Sequence, residues 1–414
     1  MRKVTLSIVV VLLLIGINFI LRYVHIRGIN DTIEIISNKL SENGLKLTYE
    51  RIRYDNLVFW KVEGQVINPV LLQEKYEYSD KSSFDYIAFS SILTDKRIII
   101  KLSDKIDTLI NDHDGEHKYT STFTTNPQVD IKFNGYFMTY NKFLKQNELR
   151  QYFIKYINNI HYHSAGHKAT KVNQPTSNDE LIYTIGDSDV KIENQKTEEY
   201  DDCKIKINLN DGKYYKTSFG EDYFGLLAQT GSSSFILDAD LLLNFKDESK
   251  IALNDNVVLN DIKPTYKLKI NNYEVLADPF SFKIEGDAVA SKTNILPYFD
   301  VGIKVINFDN MLEFYTQFYN TLILKADVMK ALSLDTITQE QKKAVLTLFT
   351  KIATKDNDDT YKINMTQLKE EPIKIGEYSL DRVVEMYNEL VSKYKEEALS
   401  KSQESNHRLK GKGE

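Results

Sequence analysis

Residues 234–247 read SFILDADLLLNFKD. Phe235, Leu237, Ala239, Leu241, Leu243 and Phe245 occupy one phase of a two-residue period. Ser234, Asp238, Asp240 and Asn244 occupy the other. Successive side chains of a strand point to opposite faces, so this is a strand with one dry and one wet face. Such alternation belongs to antiparallel sheet, because parallel strands are buried on both faces and read as continuous apolar runs.

The same pattern extends outward in both directions. Downstream, TYKLKI places Tyr266, Leu268 and Ile270 together, and FSFKIEG places Phe280, Phe282 and Ile284 together. Upstream it recurs in DYIAFSSILTD, KRIIIKL, QVDIKFNGYF and LIYTIGDSDVKI. CKIKINL carries the only cysteine, Cys203, in phase with Ile205, Ile207 and Leu209, which reads as a small core residue. With one cysteine, an intramolecular disulfide and a cysteine-rich metal site are excluded.

Nearer the N-terminus, LTYERIRYDNLVFWKVEGQVINP (residues 47–69) reads as a hairpin. Leu45, Leu47 and Tyr49 share a face. Ile52 and Tyr54 continue it one residue out of phase, which an extra bulge residue produces. Asp55-Asn56 is read as the turn, followed by Val58, Trp60 and Val62, with Gly64 and Pro69 as punctuation. Upstream, NDTIEIISNKLSENG reads as a helix with Asp31 as N-cap, Ile33, Ile36 and Leu40 on one side and Gly44 at its end, or as a continuation of a preceding helix.

Two segments break the strand pattern. Tyr140–Ile160 has Phe143, Leu149, Phe153, Tyr156 and Ile160 at positions suited to a helix, followed by a polar loop, HKATKVNQPTSND. From Asn307 the period lengthens. Phe308, Leu312, Tyr315, Tyr319 and Leu322 mark an amphipathic helix. Thr338 and Gln341 form a capping box opening a second helix with Val345, Leu348, Phe349 and Ile352. YKINMTQLKEEPIKIGEYSL supplies short closing strands, and a last helix carries Val383, Tyr387, Leu390 and Tyr394. The expected class is α+β, mainly antiparallel β. The expected divisions are an anchor at 1–27, a β-rich body at 28–306 with a helical insertion near 140–160, a helical part at 307–400 with closing strands, and a disordered tail at 401–414.

The N-terminus bears on location. MRKVTLSIVVVLLLIGINFILRYVHIRG is uncharged from Val4 to Leu21, about the length that spans a bilayer as a helix. It lacks a small-residue cleavage site, so the reading is an uncleaved single-pass signal anchor. Arg2 and Lys3 are placed in the cytoplasm and the body in the periplasm, although Arg22 and Arg27 weaken the asymmetry. The net charge of −6 argues against nucleic acid as partner, and 26 Tyr with 20 Phe suit pleated sheet.

Candidate chemistry is sparse. NIHYHSAGHK groups His161, His163 and His167, and histidine is the commonest transition-metal ligand. No acid or cysteine accompanies them, so a polar loop is preferred to a metal site, and no cofactor is assigned. NDHDGEH (111–117) has its glycine too early for a calcium loop and reads as a hairpin turn. KDNDDT (355–360) reads as a solvated loop. GSSSF (231–235) offers serines without the strand-to-helix elbow of a hydrolase. No phosphate-binding glycine loop is present, no catalytic residue is assigned, and the chain reads as non-enzymatic.

The anchor, the stretch LTYERIRYDNLVFWKVEGQVINP and the closing INMTQLKEEPIKIGEYSL, with Gly376 at its turn, give the chain a layout that resembles AsmA-like and YdgA-like bacterial envelope proteins, including related alphaproteobacterial families. Asp55-Asn56-Leu57 stands where their first hairpin is expected to carry a Gly-aromatic-Pro turn. The resemblance implies an extended, curved sheet with an apolar concave face and a role in lipid transport or envelope maintenance. The expected function is an inner-membrane, periplasm-facing protein that binds lipid or another amphiphile, with Trp60, Phe235, Leu237, Leu241, Phe282 and Ile284 as lining. The alternatives are a scaffold for envelope proteins, with the apolar face buried, or a hydrolase.

Overall fold

A computed structural model describes helical residues at intervals between 19 and 41, then 45–58, 61–75, 78–92, 96–112, 115–133, 157–172, 179–215, 231–243, 250–254, 257–260, 264–291, 298–325, 336–357, 359–368 and 371–410. Among them the chain is α+β and mainly antiparallel β. It divides into two compact units, one of residues 1–196 with 203–212 and the other of 197–202 with 213–414. This division differs from the boundary expected at 306, because strands on either side of that position pair with each other.

The first unit holds β1 (Leu45–Thr48), β2 (Arg51–Val58), β3 (Lys61–Ile67), β4 (Val70–Lys75), β5 (Tyr78–Ile92), β6 (Lys96–Leu102), β7 (Lys105–Asp112), β8 (Gly115–Thr122), β9 (Thr125–Phe133), β10 (Ile157–Val172) and β11 (Glu180–Lys196). An unbroken antiparallel ladder runs β2–β3–β5–β6–β9–β10–β11. The long strands branch: β5 also pairs with β4, which pairs with β1, and β10 also pairs with β8, which pairs with β7. β12 (Asp201–Tyr214) follows and carries Cys203, buried and in no disulfide.

The second unit holds β13 (Ser233–Leu243), the small hairpin β14 (Lys250–Asn254) and β15 (Val257–Asn260), β16 (Pro264–Ala277), β17 (Phe280–Ser291), β18 (Tyr298–Ile306), α1 (Phe308–Lys325), α2 (Gln339–Ile352), β19 (Thr354–Asn357), β20 (Thr360–Gln367), β21 (Lys374–Ile375), β22 (Tyr378–Ser379) and α3 (Leu380–Lys410). Its ladder runs β13–β16–β17–β18–β20, and β20 also pairs with β19 and β21. The capping box forms as the sequence requires: Thr338 Oγ1 accepts from the Gln341 amide at 3.2 Å, and Gln341 Oε1 accepts from the Thr338 amide at 2.8 Å. α2 packs on α3 through Ala344, Leu348, Val383 and Leu390, all buried. Gly376 turns β21 into β22 with φ +61°, its amide bonded to the Asn364 carbonyl at 2.7 Å.

Several expectations are corrected. The first hairpin does not turn at Asp55-Asn56, which lie inside β2; its pairing runs on to Val58 opposite Lys61, and residues 59–60 lie outside the described residues. The register skips Asp55, so the bulge sits there. β1 pairs with β4 and is no part of that hairpin. Of the helix expected over 140–160, residues 140–156 lie outside the described residues, and its last positions, 157–160, are strand. There Ile160 shares a strand face with Tyr162, and pairing with β9 and β11 overrides the helical spacing. The polar loops expected at NIHYHSAGHK and at the start of HKATKVNQPTSND are the body of β10. KDNDDT begins within β19. The tail expected to be disordered from 401 continues α3 to Lys410.

Residues 4–18 of the expected anchor lie outside the described residues. Among the described residues no helix is long and apolar enough to cross a membrane. The described positions between 19 and 41 are helical on both sides of Asp31, and Asp31 itself, the expected N-cap, lies outside the described residues. It rests on the first unit through the buried Ile33, a 2.8 Å bond from the Tyr54 hydroxyl to Asn30, and Ser37 bonded to the Leu47 carbonyl.

Candidate functional site

Antiparallel partners in direct register share a face, so the strand register assembles each face row by row. In the second unit one row is Phe235, Val275, Phe282, Val305, Tyr361. The next is Leu237, Tyr273, Ile284, Ile303, Ile363. Then come Ala239, Ile270, Gly286, Val301, Met365, and finally Leu241, Leu268, Ala288, Phe299, Gln367. No charged residue occurs in these four rows. The five described lining candidates, Phe235, Leu237, Leu241, Phe282 and Ile284, are thus brought onto one face. Trp60 lies outside the described residues.

Among the described residues α1 and α2 cover one corner of this face, and β14 also lies against β17 and β18. α1 lies over Phe280, whose ring meets Phe314 at 5.6 Å and Tyr315 at 6.1 Å. Phe308 stacks on Phe349 at 3.7 Å, and Phe349 meets Tyr361 edge-on at 5.7 Å. Beneath these helices Phe280, Val305 and Ile363 are buried. Beyond them Phe235, Leu237, Leu241, Ile270, Phe282, Ile284, Val301 and Met365 are only half-buried. Tyr273 bridges the middle, 5.4 Å from Phe235 and 5.9 Å from Phe282. Tyr315, on α1 and 45% exposed, has its hydroxyl pKa raised by burial and by the nearby Tyr273. At the far end of the last row the buried Gln367 keeps its Oε1 without a hydrogen-bond partner among the described residues.

The first unit repeats the design. Its register aligns Ile52, Val66, Ile87, Ile100, Val129, Tyr162 and Val190, and beside them Tyr54, Gly64, Phe89, Ile98, Ile131, Ile160 and Ile192. Val66 is fully buried, whereas Ile52, Ile100, Val129, Ile131, Ile160, Tyr162, Val190 and Ile192 are half-buried. Six inter-strand gaps of about 4.8 Å make this apolar stripe about 29 Å long.

The opposite face of the same strands is polar and holds the three histidines. His161 Nε2 lies 2.7 Å from Asp189 Oδ2, His163 Nδ1 lies 3.8 Å from the same oxygen, and Lys191 Nζ is 3.4 Å from Oδ1. Burial pushes the Asp189 carboxyl up. The hydrogen bond from His161, with the charges of His161 and Lys191, outweighs that and leaves it below the ordinary range. His167 sits apart, stacked on Phe123 at 4.3 Å and met edge-on by Tyr183 at 5.1 Å. Burial lowers its pKa, keeping it neutral. Among the described residues no group of three or more His, Cys, Asp or Glu is arranged to hold a metal ion.

Asp189 was not legible as a partner of His161, because β-pairing register is not written in one strand. Tyr273 and Val275 escaped for a related reason. A bulge at Asn271-Asn272 moves them out of phase with Tyr266, Leu268 and Ile270.

Comparison of the chain with protein-family models, curated proteins and solved structures finds no match. What the fold defines is a β-dominated α+β chain of two units, each with an apolar sheet face on which several described residues are only half-buried.

Proposed function

We propose that this chain is a membrane-tethered, periplasm-facing envelope protein that holds an amphiphile, a lipid above all, against its apolar sheet faces. In this reading the sheets curve, as in the AsmA-like and YdgA-like proteins that the sequence resembles. The uncharged run Val4–Leu21 fixes the protein at the bilayer that supplies the ligand.

The observation that carries the reading is the uncharged second-unit face. It spans five strands, and helices seal one corner of it. Contiguous apolar surface of this kind marks an interaction site in a soluble body. The dimensions also suit acyl chains. One leaflet's chain is about half of a hydrocarbon core of about 30 Å, so the first unit's stripe of about 29 Å accommodates two chain lengths. Burying about ten methylenes at about 0.8 kcal/mol each offers about 8 kcal/mol. That corresponds to a micromolar Kd before the cost of immobilising the ligand.

The test is native mass spectrometry of the full chain extracted in several mild detergents. Adducts of phospholipid mass support the reading. Their absence in every detergent, with added lipid also failing to bind, removes it.

A further inference from the structure

Gln367 closes the last row of the second unit's uncharged face, opposite Phe299 on β18 and two residues from Met365 on its own strand. It is 8% exposed, yet its Oε1 makes no hydrogen bond with any described residue. The rest of its row is apolar: Leu241, Leu268, Ala288 and Phe299. A buried amide oxygen without a donor has lost its water and gained nothing in exchange, and native folds leave few such groups. Leucine would fill a similar volume there with no unmet acceptor, so packing alone does not account for a glutamine.

We infer that Gln367 is the polar anchor of this face, its Oε1 accepting a hydrogen bond from an uncharged hydroxyl on the head of a bound lipid. On the amphiphile reading, which this role presupposes, Gln367 sets the class of ligand. Oε1 accepts and cannot donate, so it calls for a donor. None of the four rows carries a charge. A phosphate, carboxylate or ammonium group laid on them would lose its hydration with no opposite charge to offset the loss. An alcohol is far less costly to desolvate, and its single proton meets the single unmet oxygen. The acyl chains then lie along half-buried residues of the neighbouring rows, Met365, Val301, Ile270 and Leu237 among them. One fixed polar group in an apolar site also sets which way round the ligand lies. A monoacylglycerol or diacylglycerol has this make-up. A phosphatidylcholine lays its chains on the same rows, keeps its head in solvent and leaves Oε1 unmet.

The experiment uses the full chain in a fixed concentration of non-ionic detergent. Dioctanoylglycerol and its methyl ether, which keeps both chains and loses the donor, are each titrated calorimetrically. The native chain binds the alcohol about fivefold more tightly than the ether, the scale of one net hydrogen bond. Gln367→Leu binds the two equally. It also melts no lower than the native chain, because it removes an unmet acceptor, so its lost preference is not unfolding. Gln317→Leu, on the exposed side of α1, keeps the native preference. A native chain that binds both lipids equally, or a Gln367→Leu chain that still prefers the alcohol, overturns the role of Gln367 and leaves the amphiphile reading standing. If neither lipid binds and phospholipid does not bind either, the amphiphile reading falls and takes this role with it.

Discussion

Gly286 offers the sharpest test of the second unit's register. It stands in mid-strand with φ +145°, opposite Val301. A side-chain carbon added there would lie 2.2 Å from the Asp300 carbonyl oxygen and 2.7 Å from the Val301 Cα, both backbone atoms of β18. No rotamer change relieves a clash with backbone. Holding a non-glycine residue in such a conformation costs about 1–3 kcal/mol by itself, so with the clash Gly286→Ala should cost about 3 kcal/mol or more. For a unit of this size each kcal/mol lowers Tm by about 2–4 °C, giving a drop of roughly 6–12 °C. Gly302→Ala is the control one turn of the pleat away. Its nearest neighbours would be at 3.4 and 3.8 Å, and its cost should stay within about 1 kcal/mol. Differential scanning calorimetry of both variants in the full chain decides the matter. If Gly286→Ala melts within about 2 °C of Gly302→Ala, the β17–β18 register is wrong.

Three further outcomes are expected. Thr338→Ala removes one half of the capping box and should cost about 1 kcal/mol, visible as a small drop in Tm that Thr338→Ser does not show. His167 is held neutral, so in acid the unfolded chain takes up the proton more readily than the folded one. Stability is then lost as pH falls below the ordinary value of 6.5. His167→Phe, which keeps the stack on Phe123, should flatten the pH dependence of Tm in that window. Asp189 shows the carboxylate counterpart, since its folded pKa lies below the ordinary 3.8. Its contribution is complete above that value and lost as pH falls through the lowered one. Asp189→Asn should therefore be less stable than the native chain near neutrality and converge with it in acid, once the pH has fallen through that lowered value.

Elements defined by local chemistry were legible in the sequence. The alternation at Phe235–Leu243, the capping box at Thr338 and Gln341, and the turn at Gly376 each depend on residues close in the chain, and each stands where its pattern places it. What failed depends on partners distant in sequence. Ile160 satisfies helical spacing with Tyr156 and strand alternation with Tyr162, and only β9 and β11 on either side decide between them. The bulges at Asp55 and at Asn271-Asn272 change the phase without a letter that announces it. The five described lining candidates share a face because each lies inside a long alternation. Tyr273, Asp189 and Gln367 were not legible in that way, because cross-strand register brings them to their neighbours. Loop composition misled at His161–His167, where polar residues cover the wet face of a strand.

The central claim is that an amphiphile reaches the uncharged face in the second unit, and Ile284 is the position from which to measure it. The native cysteine, Cys203, is only 5% exposed, so a thiol introduced by Ile284→Cys can be followed by its labelling rate in the full chain. The account predicts ready labelling in delipidated protein and a dose-dependent slowing as phospholipid is added, with Cys203 inert throughout. A thiol at 284 that labels no faster than Cys203, or whose rate ignores phospholipid at every concentration, contradicts it.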